Sequence, residues 1–154
     1  MTHETVHDPA RRHFSFTLLA AALLPSVPVH AATRIVEVWT GPSCGCCHGW
    51  VDHLKAHGFE VTSHDGGNTE ARARLGIPVD YGSCHTGLAA GYALEGHVPA
   101  REIERLLAEK PDALGLSVPG MPRGSPGMES PVHDAYHVYL IGRDGRATIY
   151  ASYR

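Results

Sequence analysis

The chain has 154 residues, 43% hydrophobic and 19% charged, with a formal net charge of -3. That is enough for one domain with a core and far from the composition of a disordered chain. The balance gives no electrostatic footprint for nucleic acid.

From the N-terminus, residues 1–31 read as an export signal. Arg11-Arg12 supplies the positive flank, Phe14 to Leu24 is an apolar run of signal length, and Val29-His30-Ala31 is a small-x-small cleavage site before Ala32. The run is far below the roughly 20 residues that span a bilayer, although an uncleaved anchor is the alternative reading. "RRHF" partly matches a twin-arginine signal, so Sec and Tat export both stay open. Removal takes away Arg11, Arg12, Glu4 and Asp8, leaves the charge unchanged, and spares all four cysteines. The expected compartment is the periplasm, which is oxidising.

The domain, residues 32–154, begins with a strand, "RIVEVWT" (34–40), ending at Gly41-Pro42. A helix is predicted from Cys44 to about Ala56, stopped by His57-Gly58. "FEVTSH" (59–64) reads as a second strand, giving a βαβ unit with parallel strands. Asn68 is placed as the cap of a short helix, "TEARARLG", ending at Gly76-Ile77-Pro78. Residues 85–97 read as two strands around Gly91. Pro99 opens an amphipathic helix with Ile103, Leu106 and Leu107 on one face. Residues 111–135 are predicted to be a Pro/Gly-rich loop, and the remainder a hairpin turning at Asp144-Gly145. The order β-α-β-α-β-β-α is that of a thioredoxin-like α/β fold, with cysteines at the first strand-to-helix turn, where open α/β folds place their sites.

"GPSCGCCHGW" (41–50) holds Cys44, Cys46 and Cys47. Cys44 and Cys47 have the spacing of a thiol–disulfide oxidoreductase, nucleophile and resolver. Cys46 has no place in that chemistry, because a third thiol traps mixed disulfides. At about 100° per residue, Cys47 falls on the apolar stripe of Trp50, Val51 and Leu54, and Cys46 on the opposite flank. Thiolates fanned in this way would not converge on one tetrahedral ion. They suit several bridged soft ions, and Cu(I) is the thiolate-loving candidate. Zinc is the alternative, although structural zinc usually takes ligands from two separated pairs. The helix N-terminus stabilises thiolates.

Cys84 follows the Gly76-Ile77-Pro78 turn and is expected beside the first-helix cysteines. A buried inert thiol is the other reading. His85 reads equally as ligand or turn cap, and His97 as structural with a ligand role open. Met121 and Met128, the only methionines of the mature chain, share one loop as soft thioether candidates or as plugs against the core. His53 and His57, four residues apart, are read as a solvated face.

The segments "CGCCHGW", "GIPVDYGSCHTG" and "GYALEGHVPAREIERLLAEKPDALGLSVPGMPRGSPGME", with the closing "DG" hairpin, resemble domain-of-unknown-function family 411, which includes the CopG-type copper-resistance proteins. The resemblance covers about residues 34–154. It implies an exported, thioredoxin-like, metal-binding protein of bacterial copper handling, with the family's cysteines on Cys44, Cys46, Cys47 and Cys84. His48 stands where the family pattern often has lysine, and Gly87 where it has alanine; neither departure removes a thiol.

The resulting expectation is a periplasmic protein whose four thiolates hold a polynuclear Cu(I) cluster, with His85, His97, Met121 or Met128 completing the shell. Its role would be sequestration, transfer to other copper-resistance proteins, or Cu(I)/Cu(II) interconversion. No catalytic residue is assigned. The alternatives are a thiol–disulfide oxidoreductase using Cys44 and Cys47, and a zinc-stabilised interaction module.

Overall fold

The computed structural model describes residues 34–41 and 43–154. The export-signal reading lies outside them. Strand β1 (Ile35–Thr40) turns Val36, Val38 and Thr40 into the core. Helix α1 (Gly45–Ala56) buries Cys47, Trp50, Val51 and Leu54, the stripe expected from helical periodicity. Strand β2 (Glu60–Asp65) pairs parallel to β1, with Ile35 opposite Glu60.

Helix α2 (Asn68–Leu75) starts one residue earlier than expected. Its cap is Gly67, in the left-handed conformation at φ 78°, and Asn68 is already helical. This frees the Asn68 side chain for other work. Strands β3 (His85–Ala89) and β4 (Tyr92–Gly96) form an antiparallel hairpin. Ala90 and Gly91 both have positive φ, as a two-residue turn of this hand requires. Helix α3 (Ala100–Glu109) buries Ile103, Leu106 and Leu107 as expected.

The first seven helices and strands follow the order β-α-β-α-β-β-α, but the predicted loop does not begin at 111. Residues Ala113–Val118 form strand β5, parallel to β4. Sequence reading missed it because a glycine within a short stretch bracketed by Pro111 and Pro119 reads as loop, although Leu114, Leu116 and Val118 alternate with Gly115 and Ser117. The tertiary structure explains the glycine: a Cβ on Gly115 would lie 1.9 Å from the Ala93 carbonyl oxygen. The irregular loop is therefore only 119–135. Strands β6 (Tyr136–Gly142) and β7 (Ala147–Tyr153) close the chain as the expected hairpin.

All seven strands form one mixed sheet in the order β2-β1-β3-β4-β5-β6-β7. The larger core joins α1 and α3 to one face through Trp50, Leu54, Ile103, Leu106, Leu94 and Leu116. A smaller cluster, Ile77, Ala93 and Ile141, takes the opposite face, since Ala93 and Leu94 alternate on β4. No described helix is long and apolar enough to cross a membrane.

Candidate metal centre

The cysteines meet because β1 and β3 are antiparallel neighbours, with Thr40 opposite His85. The end of β1, which delivers the chain to α1, therefore lies beside the start of β3, immediately after Cys84. Backbone bonds fasten the two segments. The Gly41 N–H donates to the Cys84 carbonyl at 3.2 Å, and the Cys44 N–H to the Gly41 carbonyl at 3.3 Å. The Asn68 side-chain amide also donates to the Cys84 carbonyl, at 3.4 Å.

All four cysteine sulfurs lie within 4.8 Å of one another. Cys44 and Cys47 are joined as a disulfide; Cys46 and Cys84 are free. The Cys46 sulfur is 3.4 Å from that of Cys44 and 3.8 Å from that of Cys84. The fan expected from the helical wheel is thus corrected to a convergent set. Cys44 is the N-cap, with extended backbone at φ -82° and ψ 93°, so the 100° step does not apply to it. Side chains of the first helical turn also lean toward the N-terminus, which carries the Cys46 sulfur to the helix mouth.

His85 and His97 flank Cys84. Its sulfur is 3.3 Å from His85 Nδ1 and 3.2 Å from His97 Nε2. His97 Nδ1 lies 2.8 Å from the Pro126 carbonyl, which can only accept. Nδ1 therefore carries the proton, and Nε2 turns a lone pair toward Cys84. The Cys84 S–H is placed to donate to that lone pair. His85 Nε2 is the one buried side-chain nitrogen or oxygen without a hydrogen-bond partner among the described residues.

Burial sets the protonation states. It pushes the Cys84 thiol up to about 12, reinforced by neighbouring Cys46. It pushes His85 down to about 3, with His97 adding to the effect, and it also lowers His97. Both rings are neutral at neutral pH. Both are fully buried, with Trp50 packed on His85 at 4.3 Å between ring centroids. His97, expected to be mainly structural with a ligand role open, is in direct contact with the Cys84 sulfur.

The 119–135 loop supplies one thioether. Met121 Sδ is 4.0 Å from Cys46 Sγ, and Met121 is 54% exposed, so it forms the solvent edge of the group. Met128 is held through its backbone, by Ser125 and Gly124, and adds no sulfur contact to the cysteines among the described residues. His53 is not a solvated ring as expected: its Nε2 accepts the Ala100 N–H at 3.1 Å and so serves the start of α3. His57 remains exposed.

Sequence reading also missed the support behind Cys84. The fully buried Glu95 carboxylate accepts the Ser83 N–H at 2.6 Å, Arg72 Nε at 2.8 Å and the Thr86 hydroxyl at 2.7 Å. Arg72 also donates to the Ser83 carbonyl, so both sides of Ser83 are gripped. The usable signal was Glu95 itself, an acid inside an otherwise apolar strand, "YALEG".

The family model described as "Protein of unknown function, DUF411" matches residues 81–128, the stretch from the Cys84 approach to Met128. A solved structure titled "Copper resistance protein copG- Form 1" is 47% identical with a TM-score of 0.73, covering 77% of this chain and 96% of the other. The chain belongs to this CopG-type family. A second structure, "Copper resistance protein copG- Form 2", is 46% identical with a TM-score of 0.74, covering 78% of this chain and 98% of the other. No curated protein matches. Nearly the whole of each CopG chain is covered, so the family likeness is one of whole domains rather than of a motif.

Proposed function

We propose that this CopG-type chain is an exported copper-handling protein that holds Cu(I) through Cys44, Cys46, Cys47 and Cys84. The observation that carries this reading is the convergence of four sulfurs from two separate segments within 4.8 Å. The donor set fits the ion: it is sulfur-rich and contains no carboxylate, as a soft cation prefers. The names of the two similar structures support copper as the metal. Three cysteines in one helix start offer more thiolates than one ion needs, which favours bridged, polynuclear copper. His97 Nε2 and Met121 Sδ are the further ligands the geometry supports best, and His85 Nδ1 lies 3.3 Å from the Cys84 sulfur. The element order and the strand order β2-β1-β3-β4 support a thioredoxin-type scaffold beneath the site.

Loading requires an external dithiol to reduce the Cys44–Cys47 disulfide to two thiols, itself becoming a disulfide, and each ligating thiol then to lose its proton to solvent. Copper uptake therefore releases protons, with Cys84 the most reluctant. Bound copper would supply soft Lewis acidity and one-electron redox capacity. The protein's own part is to gather the sulfurs, keep two imidazoles neutral and exclude water from the buried side.

The disulfide favours a second reading, a periplasmic thiol–disulfide oxidoreductase using Cys44 and Cys47. One experiment separates the readings: purify the mature domain anaerobically, reduce it, titrate with Cu(I), and measure thiols and metal. Two or more copper ions per chain with copper–sulfur scattering support the cluster. A copper-free protein whose Cys44–Cys47 pair turns over a dithiol supports the oxidoreductase. One zinc per chain, with unfolding on chelation, supports the zinc module.

A further inference from the structure

The 119–129 segment crosses the site and is fastened at both ends by backbone. Near its start, the Gly120 N–H donates to the Gly82 carbonyl at 3.1 Å, and the Ser83 hydroxyl donates to the Gly120 carbonyl. Near its end, Gly127 lies against the first turns of α1. A Cβ built on Gly49 would be 2.9 Å from Gly127 Cα. A Cβ on Gly127 would be 2.5 Å from the Trp50 backbone nitrogen and 2.6 Å from the Cys46 carbonyl oxygen. Gly127 is also left-handed, at φ 82°, and its N–H donates to Glu129 at 2.9 Å. The seam is backbone on backbone, so a side chain on either face must push the segment away. Between the two fastenings lie Met121, at the Cys46 sulfur, and Pro126, whose carbonyl fixes the His97 tautomer.

We propose that Gly49 and Gly127 are positioning residues: their contact latches residues 119–129 as a strap that seats Pro126 on His97 and Met121 on Cys46, and so slows the escape of metal from the four-cysteine site. This rests on the copper reading for its ligand but not for its geometry. None of the strap's residues belongs to the main core cluster, so the sheet and α1 can fold with the strap displaced.

Gly49→Ala is the discriminating variant. Alanine is the better helix former, by roughly 1 kcal/mol, so a purely local role predicts a neutral or stabilised protein. The latch predicts the opposite behaviour at the site. Expected results are release of Cu(I) to a colorimetric chelator about fivefold faster or more, the scale of one lost hydrogen bond, with far-UV circular dichroism unchanged. The His97 ring-nitrogen NMR shifts should also show loss of the fixed tautomer. Gly127→Ala should act in the same direction and more strongly. In the copper-free protein, trypsin should cut after Arg123 faster in Gly49→Ala than in the parent. Unchanged release from a copper-loaded Gly49→Ala variant overturns the proposal and leaves the copper reading standing. If the parent binds no copper, the copper reading fails, and the Arg123 cleavage and His97 shifts still decide the latch: unchanged values in Gly49→Ala overturn it.

Discussion

Replacing Glu95 by alanine tests how the Cys84 side of the site is held. The carboxylate is fully buried and its three partners are the Ser83 N–H, Arg72 Nε and the Thr86 hydroxyl, all at 2.6–2.8 Å. Burial raises the pKa of Glu95, opposed by Thr86, Ser83 and Arg72. The acid is therefore costly to bury, and its stabilising effect lies in the donors it satisfies. Removing one partner of a buried pair costs about 3–5 kcal/mol. The Arg72 side chain is 14% exposed and keeps its bond to the Ser83 carbonyl, which places the loss at the lower end, about 3 kcal/mol. Glu95→Gln keeps the shape and an acceptor oxygen and should lose about half as much. Urea denaturation of the reduced, copper-free protein, followed by the fluorescence of buried Trp50, measures both. A loss under about 1 kcal/mol for Glu95→Ala would refute the idea that buried donors depend on this acid. The Ala variant should also weaken copper binding, because the Ser83 N–H on the approach to Cys84 loses its acceptor and only the Arg72 bond to the Ser83 carbonyl still holds that peptide.

Cys46→Ser should keep a reversible Cys44–Cys47 disulfide and lower the number of copper ions held, measured by anaerobic titration; an unchanged copper count removes Cys46 from the site. Gly115→Ala should destabilise the domain by about 1–3 kcal/mol through overpacking against the Ala93 carbonyl, read from the shift in denaturation midpoint. Burial lowers the pKa of His53, with His57 adding and Glu129 opposing. The unfolded chain therefore takes up the proton first, near 6.5. The His53 contribution is complete above that value and declines as pH falls below it. Comparing parent and His53→Gln denaturation from pH 7.5 to 5.5 should show a shallower decline in the variant; equal slopes would exclude His53 as a contributor.

The amphipathic stripe of α1, the α3 face and the Asp144-Gly145 hairpin were legible in the sequence because periodicity and turn chemistry are local. So were the four cysteines and the concentration of three of them near the first strand-to-helix turn. Strand β5 was not, since its Gly115 has meaning only against the Ala93 backbone. The solvent-facing reading of His53 failed for a related reason: a position on a helix wheel does not reveal that another helix begins beside it.

What the sequence by itself determined is the donor chemistry, a sulfur-rich set with histidines and methionines nearby. The tertiary structure decided which donors meet. Antiparallel pairing of β1 with β3 brings Cys84 to the mouth of α1, and the N-cap backbone of Cys44 turns an expected fan of thiols into one convergent group. It also brings His97 and Met121, rather than Met128, against the cysteine sulfurs, and sets Gly49 against Gly127, 78 residues apart in the chain. Residue types carry affinity for an ion. Only long-range backbone pairing and close approach set the distances that make them a site.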